Sequence, residues 1–174
     1  MKLSRFLPLF VLTAISAVAQ SDRWSPVRVF EGKWEGSITG KPGKQFSSRE
    51  YQFVLHDTFL SQRDHSVYEA KSPDAAPKVR DDFGYFSYDT FLKKIVWRQF
   101  HSEGFVNEYS LDSVGADGKS LEFVTVRIEN LAPGWRARKS YHVLSSDEIE
   151  ETFSLAPPGK DFDVYTVTHL RRVK

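Results

Sequence analysis

Residues 93–111 read KKIVWRQFHSEGFVNEYSL and place one imidazole, His101, among Arg98, Glu103 and Asn107. An imidazole in such company can relay a proton, accept a hydrogen bond from a ligand or bind a metal. Arg98 and Arg127 are cations whose planar forks could hold a carboxylate bidentately if they faced an interior. Alternation along a strand sets Arg98 with Val96 and Phe100, and His101 with Trp97 and Gln99. Trp97 is large and apolar and is expected inside, so His101 should follow it inward and Arg98 should stay in solvent. Arg127 alternates with Phe123 and Thr125 and is then the expected internal cation. The competing expectations are a His101 that only caps a hairpin turn and an Arg127 that is solvated.

Other chemistry is poorly supplied. His56, His65, His142 and His169 show no metal-type spacing, and no nucleophile motif of the G-x-S-x-G kind occurs. The carboxylates of DD (81–82) and DE (147–148) adjoin turns and read as solvated. Arg136 and Arg138, opposite Glu148, Glu150 and Glu151, read as exposed cross-strand ion pairs. The chain has no Cys, which excludes disulfides, Cys-ligated metals and thiol catalysis.

The elements that must position His101 are strands. Ten short alternating runs rich in Val, Ile, Thr, Phe, Tyr and Trp fall near 33–39, 46–55, 58–70, 79–88, 94–101, 104–112, 120–129, 135–144, 148–155 and 162–171. Turn signals such as GKPGK, SPDAAP, GADGK and APPGKD separate them. No connection is long enough for a crossover helix, so neighbours should pair antiparallel. The expectation is an all-β, ten-stranded, antiparallel up-and-down barrel with a short helical or 3₁₀ piece at Ser25–Phe30; a two-sheet sandwich is the alternative. Polar residues on both faces of several strands favour a barrel that encloses a ligand or water, because a dry core would leave them unpaired at about 1–3 kcal/mol each. Trp34 is expected to plug the closed end.

Residues 1–19 look like a signal peptide: Lys2 and Arg5, an apolar stretch from Phe6 to Ile15, then Ala17-Val18-Ala19. Residues 20–174 are then one barrel domain. Removing Lys2 and Arg5 changes 24 basic against 23 acidic residues to 22 against 23, a balance that suggests neither nucleic acid nor an anionic membrane as partner. A secreted or periplasmic protein is expected, with no stable membrane insertion after cleavage and no lipidated Cys. The oligomeric state is left open.

FEGKWEGSITG sets Gly32, Trp34 and Gly36 in a Gly-x-Trp-x-Gly spacing. Thr58-Phe59-Leu60, DDFGYFSYD (81–89), FHSEGFV (100–106) and the closing HLRRVK follow in order. With these elements the chain resembles the nitrobindin-type haem-binding β-barrels, relatives of the fatty-acid-binding proteins and lipocalins within the calycin barrels. Within that family it is similar to secreted bacterial paralogues. The resemblance implies a ligand cavity and haem as a cofactor. The family's proximal His falls on Tyr165, and the nearest His is His169, so Tyr165 or His169 would be the iron ligand. His101 would lie near the open site.

Three functions follow as expectations. The first is a secreted, non-enzymatic barrel holding a small apolar or amphipathic molecule against His101, Trp97, Arg127, Tyr165 and His169. The second is a haem protein with nitrite or peroxynitrite chemistry. The third is a non-catalytic envelope scaffold.

Overall fold

The computed structural model describes residues 22–70, 72 and 74–174. The signal-peptide reading of residues 1–19 lies outside the described residues. Ten strands follow a 3₁₀ turn at Arg28–Phe30: β1 (Gly32–Gly40), β2 (Gln45–Val54), β3 (Phe59–Tyr68), β4 (Val79–Asp89), β5 (Lys94–His101), β6 (Val106–Val114), β7 (Ser120–Glu129), β8 (Arg136–Ser145), β9 (Glu148–Ala156) and β10 (Asp163–Arg172). Each pairs antiparallel with its sequence neighbours, and β1 pairs with β10 to close the barrel. Closure leaves no unpaired edge among these strands. The expected barrel is therefore the observed fold, and the sandwich is not. No helix among the described residues is long and apolar enough to cross a membrane.

Two features of the first strand explain closure. At Gly36 an added Cβ would lie 1.7 Å from the His169 carbonyl oxygen of β10, so only Gly lets these strands meet. Gly32 takes φ of 114°, a conformation other residues rarely adopt, beside the Arg172 guanidinium. Arg172 donates to the Val29 carbonyl (2.9 Å) and lies 4.2 Å from the Trp34 ring, tying the last strand to the segment before β1.

That segment is a plug. Trp24, Val27 and Phe30 are buried at one end of the barrel, and the Trp34 indole donates to the Phe30 carbonyl at 2.7 Å. Phe30 packs on Tyr141 (4.8 Å) and Tyr51 (5.5 Å). Trp97 stacks on Phe86 (4.7 Å) and Tyr109 (4.9 Å). This aromatic floor is the hydrophobic core, and the plug seals it from solvent.

Candidate functional site

Above the floor the inward positions turn polar. On β2 the inward series runs Gln45, Ser47, Arg49, Tyr51, Phe53; on β3 it runs Leu60, Gln62, Asp64, Ser66. β8 contributes Lys139, β9 contributes Glu151, and β10 contributes Thr166 and Thr168. A ten-stranded barrel is wider than an eight-stranded one, whose interior side chains just fill, so space remains above this belt. It forms a cavity of about 890 Å³. Half-buried Phe105, Ile128, Trp135 and Leu155 and exposed Lys44, Glu69, Lys78 and Glu103 line its more open part, and the buried Arg49, Asp82, Gln99, Asn107, Lys139 and Glu151 line its inner part.

The belt holds two charged groups of side chains. In the first, Arg49 donates both terminal nitrogens to Glu151, at 2.8 and 3.1 Å, and its Nε lies 2.9 Å from Asp64. Ser47 and Ser66 hydroxyls donate to Asp64 at 2.9 and 3.0 Å. Lys139 Nζ stands 3.5 Å from Glu151 and 4.8 Å from the Trp97 ring centre. Burial would raise the Glu151 carboxyl, but Arg49 and Lys139 outweigh it and hold the group well below the usual carboxylate range. Burial lowers the Lys139 amine.

In the second group, His101 Nδ1 donates to Asp82 at 2.9 Å, and Asn107 Nδ2 donates to His101 Nε2 at 3.2 Å and to the Tyr109 hydroxyl at 2.9 Å. The carboxylate partner sets the tautomer, leaving Nε2 as acceptor. Phe105 stacks on the imidazole at 4.2 Å. Burial would raise Asp82, yet its hydrogen bond from His101 and the nearby cations lower it. Asp82, His101 and Glu103 offer ligand atoms within 4.8 Å of one another. They could meet a cation, but Arg80 stands 3.4 Å from Asp82 and opposes a second positive charge.

His101 and Trp97 both face inward: the Trp97 side chain lies in the floor and His101 lines the cavity, its side chain 7% exposed. Arg98 lies outside, paired with Glu129 at 2.8 Å. Arg127 is not the internal cation. Its side chain is 66% exposed, because a bulge between Thr125 and Arg127 adds one residue and reverses the alternation. Ile128 lines the cavity instead. Tyr165 is the extra residue of a bulge between Val164 and Thr166 and lines the cavity. His169 is not beside it: it points outward to Glu150 at 3.4 Å with half its side chain exposed.

The internal cations are Arg49 and Lys139, neither of which the sequence reading singles out. The signal is present in the alternation Ser47, Arg49, Tyr51 and Ala137, Lys139, Tyr141. Two carboxylates expected in solvent are also inside: Asp82, since only Asp81 faces out, and Glu151, two residues from the buried Ile149. Arg136 and Arg138 lie outside over Phe162 (4.8 and 4.6 Å), with Arg138 nearest Glu122 rather than the β9 carboxylates.

No protein-family model matches this chain, and no curated protein does. Among solved structures the chain is similar to Rv2717c from M. tuberculosis, at 17% identity and a TM-score of 0.63, over 87% of this chain and 98% of that one. It also aligns with a de novo designed fluorescence-activating β-barrel, at 15% identity and a TM-score of 0.43, over 86% of this chain and 98% of the other. The likeness to Rv2717c shows a shared ten-stranded barrel fold, and a barrel of this kind is compatible with binding a small ligand.

Proposed function

We propose that this protein is an exported, non-enzymatic barrel that binds a small amphipathic molecule with an uncharged polar head. The cavity carries this reading: apolar side chains, Phe105, Ile128, Trp135, Phe153 and Leu155, line one part of its wall, and a buried polar belt lies within. Buried Gln99 Oε1 and Asn107 Oδ1 have no protein partner among the described residues, and a ligand hydroxyl in the cavity would meet such amides. The head is uncharged because the belt already balances itself. Arg49, Arg80 and Lys139 face Asp64, Asp82 and Glu151, and the Arg49 fork is taken by Glu151. Solvent extraction and native mass spectrometry of the protein purified from its producing cells test this. A bound neutral amphiphile is expected; a barrel that carries none and takes up neither Nile red nor decanol defeats the reading.

Haem is the second reading, and one observation favours it: Tyr165 lines the cavity, and a tyrosinate can ligate ferric haem. His169 cannot share that role from outside the barrel, and both His101 nitrogens are engaged. Titration with hemin decides it. A Soret shift that Tyr165→Phe abolishes supports haem, and no shift, or one unchanged in that variant, removes it.

A further inference from the structure

Among the described residues, Lys139 is the fully buried belt cation that is held loosely. Arg49 is locked by three contacts of 2.8 to 3.1 Å to two carboxylates. Lys139 has a single carboxylate at 3.5 Å, and its Nζ lies over the Trp97 and Phe153 rings at 4.8 and 5.7 Å. Its side chain is 7% exposed, yet it lines the cavity. An amine taken out of bulk solvent, set against two aromatic rings and beside one carboxylate that does not lock it, is an arrangement in which lysines become nucleophiles.

We infer that Lys139 captures the carbonyl head of an apolar aldehyde or ketone as a reversible Schiff base, with Glu151 as counter-ion. This rests on the ligand-binding reading and names the class of head group. In the step, the neutral amine attacks the carbonyl carbon, and the new C–N bond forms as the oxygen takes a proton. The carbinolamine then loses water, its C–O bond breaking, to leave C=N. One amine and one carbonyl give one imine and one water, and no oxidant or reductant is consumed. When the imine nitrogen is protonated, its charge takes the place of the ammonium facing Glu151, so the belt stays balanced. Burial, aided by Arg49 on β2, lowers the Lys139 amine against the opposing pull of Glu151 on β9, Asp64 on β3 and Asp82 on β4, so more of it is neutral than of a surface lysine at the same pH.

The test uses decanal with sodium cyanoborohydride, which reduces an imine to a stable amine, followed by intact-mass and peptide analysis. At short times and near-neutral pH, one decyl group is expected, on Lys139, forming at least about tenfold faster than on any other lysine. Excess decanol should block it. Lys139→Met and Lys139→Arg should each lose the fast adduct and retain the slow surface labelling, with a cooperative melt confirming that the tested variant is folded. Fast labelling of Lys139 should also persist at lower pH than surface labelling. Labelling spread evenly over the surface lysines of the wild type, with decanol still displacing Nile red, overturns the Schiff base and leaves the binding reading standing. If the wild type carries no amphiphile from its producing cells and takes up neither Nile red nor decanol, both fall.

Discussion

At the scale of single residues, the belt places full charges in a barrel interior and depends on their completeness. Removing one partner of a buried pair leaves the other uncompensated, at about 3–5 kcal/mol. Glu151→Gln leaves Lys139 without its close carboxylate and Arg49 with Asp64 alone, so unfolding in urea should show a loss of that size. The pH dependence has a definite sign. The Glu151 carboxyl is held lower in the fold than in the unfolded chain, so its contribution is complete above the unfolded value of about 4.3 and is lost as pH falls below it. Asp82 acts in the same direction. Stability measured by denaturant melts should therefore hold from pH 7 to about 5 and decline below about 4.5, with a shallower decline in Glu151→Gln.

At the scale of elements, the seam between β1 and β10 decides whether the barrel closes. Gly36→Ala would drive a methyl group into the His169 carbonyl, and neither is the free end of a flexible side chain. The expected cost is at or above the top of the roughly 1–3 kcal/mol range for overpacking. Hydrogen exchange should show the β1–β10 amides losing protection before those of β2–β3. Elements are also the most legible level of the sequence. Alternation and turn residues place β5 at 94–101 and β7 at 120–129, as observed, and send Trp97 and His101 inward together. Parity fails where a bulge intervenes. The extra residue before Arg127 turns it outward, and the one at Tyr165 breaks its face from that of His169. Nothing in the side chain of Val126 announces the first bulge, since bulging is a backbone event set by neighbouring strands. The pairing of Arg49 with Glu151 is hidden for another reason. They are 102 positions apart in sequence, and only closure brings them together.

At the scale of the whole molecule, the barrel divides by depth. The N-terminal plug and aromatic floor supply the burial that a chain without disulfides needs, and the strand number leaves the other half hollow. Under the proposed ligand-binding function, the polar belt at the boundary is what selects the head group. A neutral head can meet the amides of Gln99 and Asn107, whereas a carboxylate would enter a belt whose cations already face carboxylates. Displacement of Nile red by decanol and by decanoate, which share a chain length and differ in head group, tests this most directly. Decanol should displace the dye at least about tenfold more strongly, a difference of about 1.4 kcal/mol. Equal or stronger displacement by decanoate, or none by either, would contradict a cavity built for an uncharged amphiphile.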